Sequence, residues 1–149
     1  MCIHNIVLKH TMAELNEQQT HLASLLKQRE EIVNEINELT AKAITCYNEN
    51  RPLESIGFYF GCYRMLQYSI STKKDGRIKT SPKKLIFNIN KIYYRPKFND
   101  NKHYINRKTL ELRNPFHDLI GQCKIENKPE DINKSLEIIL KNNTSKNKL

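Results

Sequence analysis

An apolar repeat with a seven-residue period near the N-terminus constrains the fold of this chain more than any other feature. Apolar side chains recur at two positions of the repeat between residues 12 and 47, and no Gly or Pro interrupts them. The first position holds Leu15, Leu22, Ile36 and Ala43, and the second holds Leu25, Ile32, Leu39 and Cys46. Such a period is typical of an α-helix that packs along another helix. We therefore predict a coiled-coil helix over residues 12–50, preceded by an N-terminal extension over residues 1–11.

Local signals support the ends of this helix. Thr11 and Glu14 have the spacing of a capping box, and Pro52 provides a stop. A helix this long needs a partner for its apolar stripe, and self-association into a dimer or larger oligomer supplies one. The predicted oligomerisation residues are Leu22, Leu25, Ile32, Ile36 and Leu39. The alternative is a hairpin within one chain, in which a second helical stripe over residues 53–70 folds back on the first.

The remaining sequence indicates a small basic α+β domain over residues 51–141. Asp75 and Gly76 suit a tight turn, which favours a β-hairpin over residues 66–81. The alternating pattern of residues 85–90 favours another strand, although a helix also fits, and residues 95–106 have the character of a loop.

A C-terminal helix completes the predicted fold. Pro129 and two following acids suit a helix N-terminus, and the apolar face is Ile132, Leu136, Ile139 and Leu140. Residues 142–149 are polar and are predicted to be a disordered tail. The predicted fold class is therefore α+β, with a long N-terminal amphipathic coiled-coil helix, a small basic β-containing domain and a C-terminal helix.

Charge is distributed unevenly along the chain, which has a formal net charge of +9. Residues 12–50 carry three basic and seven acidic side chains, a net of −4, whereas residues 73–108 carry twelve basic and two acidic side chains, a net of +10. The abundance of Lys, Asn and Ile is what A- and T-rich codons produce, as in a small viral, phage, organellar or AT-rich microbial gene. Because that bias acts on the whole chain, the local cluster is more informative, and it favours a polyanionic partner.

The basic segment also contains aromatic residues, and this combination is typical of grooves that bind single-stranded nucleic acid. The candidate binding residues are Lys73, Lys74, Arg77, Lys79, Lys83, Lys84, Lys91, Tyr93, Tyr94, Arg95 and Lys97. The expected ligand is RNA or single-stranded DNA. The alternative partner is an acidic protein surface, which a structural or assembly subunit of a virion, phage or ribonucleoprotein particle would contact.

The cysteines and the absent motifs limit the chemistry. Cys2, Cys46, Cys62 and Cys123 are widely separated and lack the close spacing of zinc and redox sites. Without a cleavable signal sequence or a long apolar run, we expect reduced thiols and a location in the cytoplasm or, for a viral protein, in the host-cell interior. Cys46 and Cys62 are then predicted to be small core residues.

Motifs of P-loop proteins, dinucleotide-binding domains, serine hydrolases and zinc proteases do not occur in the sequence. We therefore expect no catalytic residue, no metal site, no cofactor and no membrane partner. The favoured function is a non-enzymatic oligomeric accessory protein that assembles through its N-terminal helix and binds nucleic acid through residues 73–108. A small enzyme without a recognisable motif is a third alternative.

Overall fold

In a computed structural model of the chain, the largest element is a closed barrel of eight antiparallel β-strands in chain order. The structure describes residues 17–71, 76–95 and 102–144. The strands are β1 Ala43–Tyr47, β2 Ile56–Phe60, β3 Arg64–Ile70, β4 Ile78–Asn88, β5 Lys91–Arg95, β6 His103–Asn106, β7 Glu111–Arg113 and β8 Leu119–Glu126. Helix α1 is Glu17–Leu39, helix α2 is Pro129–Thr144, and a short 3-10 helix, Pro52–Glu54, joins β1 to β2. Each strand pairs with the next, and β1 pairs with β8 to close the barrel.

Successive side chains of a strand point to opposite faces, so each strand contributes to an inner and an outer face of the barrel. The inner side chains form one core cluster, which includes the fully buried Phe58, Ile92 and Leu112. The Phe58 ring lies 6.5 Å from the Phe60 ring and 5.2 Å from the Tyr94 ring, measured between centroids. The interior of an eight-stranded barrel is just wide enough for side chains to fill, and this core fills it.

Helix α2 covers part of the outer face. Ile132 and Leu136 of the helix are fully buried and pack in a second cluster with Tyr68 and Ile70 of β3. A Cβ atom added to Gly57 of β2 would meet the Ile132 side chain. The glycine therefore allows α2 to lie directly on the sheet.

The C-terminal end of α1 is anchored at one mouth of the barrel. Ile36 is buried, and Leu39 packs against the inner core. Arg107, which follows β6, forms ion pairs with Glu35 and Glu38 of the helix. In the N-terminal half of the described helix, Leu22 and Leu25 are exposed and Leu26 is partly buried.

The predicted helix over residues 12–50 is wrong beyond Leu39. Ala41 has a left-handed φ of 68°, and its N–H donates to the Phe60 carbonyl at 2.8 Å, so the helix cannot continue through it. Ala43 and Cys46, which matched the repeat, lie in β1 and belong to the outer and inner clusters respectively. Their helical spacing is therefore coincidental.

The predicted fold class is also wrong, because the chain is mainly a β-barrel with one helix before it and one after it. Residues 53–70, the predicted second helical stripe, contain β2 and β3, and residues 103–106 of the predicted loop form β6. The expected hairpin is present as the antiparallel pair β3 and β4, and Asp75 of the predicted turn lies outside the described residues. The C-terminal helix is confirmed as α2.

Some boundaries differ from the prediction, and others are not described. Helix α2 continues to Thr144, beyond the predicted start of the tail. Residues 1–11, the capping box at Thr11 and Glu14, and residues 145–149 lie outside the part of the chain that the structure describes.

A disulfide bond contradicts the expected reduced state of the thiols. Cys46 of β1 and Cys123 of β8 are direct partners in the strand register, and a disulfide joins them. The bond therefore crosses the seam at which the barrel closes. Cys62, predicted to be a core residue, is an exposed free cysteine. Widely spaced cysteines do not reveal their pairing in a sequence.

Candidate nucleic-acid interface

Four cationic side chains form a row across the outer face of neighbouring strands, which we call the cationic row. Arg64 of β3 pairs with Lys84 of β4, and Lys84 pairs with Arg95 of β5. The recorded β5–β6 register ends at Tyr94 and His103, and continuing it by one residue brings Lys102, immediately before β6, opposite Arg95. Within the described chain none of the four forms an ion pair with an acidic side chain. Like charges on directly opposed positions destabilise a sheet, so this arrangement favours a bound anion.

Arg95 has a second unusual feature. Its Nε atom is buried and has no hydrogen-bond partner among the described residues. A buried donor without a partner costs free energy, and an anionic oxygen is a good acceptor for it. This donor lies within the cationic row.

An aromatic row lies beside the cationic row, two residues further along the strands. Tyr93 of β5 pairs with Tyr104 of β6, and their ring centroids are 5.9 Å apart. The Nζ atom of Lys91 lies 4.7 Å from the centroid of the Tyr104 ring. Tyr104 is buried by its neighbours, whereas Tyr93 is partly exposed. Two residues of a strand span about 7 Å, so aromatic and cationic positions are neighbours.

The turn between β7 and β8 lies beside the end of the aromatic row. The Tyr104 hydroxyl and His117 Nδ1 share a hydrogen bond of 2.7 Å. Arg113 of β7, which pairs with Tyr104, donates to the His117 carbonyl at 2.7 Å and forms an ion pair with Glu111. Because its charge is already balanced, Arg113 contributes mainly to holding the turn against the barrel.

The structure separates the predicted nucleic-acid-binding residues. Lys84, Lys91, Tyr93 and Arg95 share this outer face. Tyr94 is in the barrel core, where burial raises the pKa of its hydroxyl, and Lys79 and Lys83 alternate with Lys84 and lie on the other face of β4. Arg77 directly precedes β4, and Lys73, Lys74 and Lys97 lie outside the described residues.

Arg64 lies on the same face, His117 contacts that face through Tyr104, and Phe116 precedes His117 in the turn; all three are absent from the predicted set. They lie outside the basic segment of the sequence, so charge clustering did not select them. Arg64 joins the cationic row only through the register of β3 with β4. Two pieces of information identify such residues: the alternation of side chains between the two faces of a strand, and the order in which the strands pair.

The predicted oligomerisation residues fall into two groups. Ile36 is buried and Leu39 is partly buried at the mouth of the barrel. Leu22 and Leu25 are 55% and 47% exposed, and Ile32 lies between the two groups and is partly buried. The barrel therefore occupies one end of the stripe and leaves the other end accessible.

A cleft of about 340 Å³ lies at the opposite mouth of the barrel from α1. Its lining includes Arg51, Glu54 and His103, and the Arg51–Glu54 ion pair measures 3.4 Å. Burial lowers the pKa of His103, and its Nδ1 atom has no hydrogen-bond partner among the described residues. This mouth lacks the uncompensated positive charge of the cationic row, and we do not assign it to the site.

Other chemistries receive no support from the described residues. They contain no group of three or more His, Cys, Asp or Glu side chains that could hold a metal ion. No described helix is both long and apolar enough to cross a membrane. Comparison with protein-family models, with curated proteins and with solved structures finds no match. The candidate interface therefore depends on geometry and charge alone.

Proposed function

We propose that this protein is a non-enzymatic nucleic-acid-binding protein that assembles through α1. The barrel binds a single strand of RNA or DNA on the outer face of β3 to β7, and the exposed half of α1 pairs with a second copy. The observation that carries the proposal is the cationic row, Arg64, Lys84, Arg95 and Lys102, which follows neighbouring strands without acidic partners among the described residues.

The charge pattern favours a polyanion over a single small anion. The row crosses several strands, and adjacent strands are about 4.8 Å apart, so its charges are spread along a line. A phosphate backbone places successive negative charges along such a line and releases counterions when it binds. The strands β3 to β7 contain one acidic residue, Glu111, which is ion-paired with Arg113. The face therefore stays positive.

The aromatic row favours a single strand over a duplex. Tyr93 is partly exposed beside Arg95, so a phosphate at the cation and an unpaired base at the ring are compatible. Base stacking on an aromatic ring contributes about 1–3 kcal/mol per base. A duplex has no free base faces and gains only the phosphate contacts.

The test measures binding at a series of salt concentrations, with fluorescence anisotropy as the readout. The probes are a fluorescein-labelled 20-nucleotide oligothymidylate and a labelled RNA of the same length. The triple variant Arg64→Gln, Lys84→Gln, Arg95→Gln should bind both probes more weakly. Three lost phosphate contacts should flatten the slope of log K against log salt concentration by about 2. The variant should remain folded, because it removes like charges from opposed positions.

A second triple variant controls for net charge. Lys128→Gln, Lys134→Gln, Lys141→Gln removes the same charge from exposed positions in and before α2. It should retain most of the affinity of the unmodified protein. Equal weakening by both triple variants, or parental affinity in the first, would reject the cationic row as the binding surface and favour the assembly-subunit alternative.

A further inference from the structure

We propose that Phe116, in the turn between β7 and β8, is the residue on which an unpaired base of the bound strand stacks. The inference deepens the proposed function and depends on it. Phe116 is 83% exposed, more than any other large apolar side chain of the described residues. An aromatic ring held in water at this level is unusual, because burying it would stabilise the fold.

The exposure of Phe116 is fixed by a hydrogen-bonded turn. The Asn114 side-chain oxygen accepts hydrogen bonds from the backbone N–H groups of Phe116 and Asp118, both at 2.9 Å. The Asn114 side-chain NH₂ donates to the Asp118 carboxylate at 3.1 Å, and the His117 N–H donates to the Asn114 carbonyl at 2.9 Å. The ring is therefore presented from an ordered backbone, which reduces the entropy lost on binding.

The turn is also tied to the aromatic row. His117 meets Tyr104 edge to face with ring centroids 5.7 Å apart, in addition to their hydrogen bond. Tyr104 in turn contacts the Tyr93 ring and the Lys91 ammonium group. Phe116 is thus next in sequence to the residue that joins the turn to the binding face. A strand held by the cationic row can extend a base toward it.

The charges around Phe116 favour a base over an acidic apolar protein segment. Of the two acids nearest in sequence, Glu111 is ion-paired with Arg113, whereas Asp118 keeps its charge and accepts a hydrogen bond from the Asn114 amide. The remaining outer-face charges are cations. A planar, uncharged base can stack on the exposed ring, while the phosphates of the same strand pair with these cations.

The test compares three 20-nucleotide probes: oligothymidylate, an abasic strand with the same phosphates, and a duplex of 20 base pairs. Phe116→Ala should weaken binding to oligothymidylate by about 5-fold to 150-fold, the range for one stacked base. Its affinity for the abasic strand and for the duplex should not change, and neither should the salt slope. Unchanged affinity of Phe116→Ala for oligothymidylate would overturn the inference.

A second variant gives a direct signal of stacking. The chain has no Trp, so Phe116→Trp introduces a single indole fluorophore. The variant should keep parental affinity, and oligothymidylate should quench its fluorescence while the abasic strand should not. Binding by anisotropy without quenching would contradict stacking at this position.

The two proposals fail differently. If the unmodified protein binds neither oligothymidylate nor the RNA of the same length at 150 mM salt, the proposed function itself is wrong. If it binds oligothymidylate and Phe116→Ala binds equally well, only the role of Phe116 is wrong. Loss of self-association in Phe116→Ala, with nucleic-acid binding intact, would assign the ring to a protein contact and also overturn the inference.

Discussion

Gly57 is the residue at which the packing of α2 is most sensitive to one added methyl group. Gly57→Ala should lower the free energy of unfolding by about 1–3 kcal/mol, because the new Cβ would meet the β-branched side chain of Ile132. Chemical denaturation monitored by circular dichroism measures the change.

Gly61 provides a matched control for that substitution. A Cβ added there has its nearest neighbour at 3.5 Å, the Arg64 carbonyl oxygen, which is an ordinary contact. Gly61→Ala should therefore change stability much less. Equal effects of the two substitutions would mean that α2 does not lie on β2 as described.

His103 should make stability depend on pH below neutrality. Burial lowers its pKa, so the folded chain favours the neutral ring and the unfolded chain takes up the proton first. This contribution to stability is fully present above the ordinary His pKa of about 6.5 and is lost as the pH falls through the lower folded value.

His103→Gln should reduce the fall in Tm between pH 7.5 and pH 5. His21→Gln, on the exposed side of α1, should leave that fall unchanged, and a parental pH response in His103→Gln would contradict the burial of the ring.

At the scale of elements, local signals predicted some parts of the fold and failed where contacts are distant in sequence. The acids after Pro129 and the spacing of Ile132 and Leu136 predicted α2, since a helix is set by local geometry. Ala43 and Cys46 were placed in a helix because a five-residue strand is too short to override a long periodic pattern. The β1–β8 pairing that makes them a strand joins residues about eighty positions apart and leaves no local trace.

The same limit applies to the candidate site. The clustering of basic and aromatic residues selected Lys91 and Tyr93 within one segment, but it could not reveal that Arg64 is opposite Lys84 or that Tyr104 reaches His117. Both contacts depend on strand order. The basic cluster therefore contains only some of the residues that the structure brings together in the candidate interface.

The β1–β8 seam yields a prediction for the disulfide. Cys46 and Cys123 are 77 positions apart, and cross-linking a loop of this size stabilises a fold by about 4.5 kcal/mol in the chain-entropy account. The double variant Cys46→Ala, Cys123→Ala should have a lower denaturation midpoint than the unmodified protein. Adding a reducing agent to the unmodified protein should lower its midpoint in the same way. Cys62→Ala, at an exposed free cysteine, is the control and should have little effect. Peptide mapping that finds Cys46 and Cys123 as free thiols in the purified, unreduced protein would refute the bond.

On the scale of the whole molecule, the proposed assembly depends on the exposed half of α1, where Leu22 and Leu25 lie at the surface. The double variant Leu22→Glu, Leu25→Glu should be a monomer in sedimentation equilibrium. Charged groups cannot be buried unpaired between helices, so they would prevent the proposed association. Ile138→Glu makes the same type of change at an exposed position of α2, 59% exposed, and should keep the oligomer. A monomeric unmodified protein at micromolar concentration would contradict assembly through α1. Ile36 is unsuitable for this test, because it is buried and its replacement would disturb the fold.

The most direct test of the account is an NMR titration of the ¹⁵N-labelled protein with the 20-nucleotide oligothymidylate. We expect the largest amide shifts at outer-face residues of β3 to β6 and in the turn around Phe116, with little change in α2, β1 or β2. This result would locate the strand across the cationic and aromatic rows. Shifts centred on the cleft at His103 or on α2, or no shifts at low salt, would contradict nucleic-acid binding by this face of the barrel.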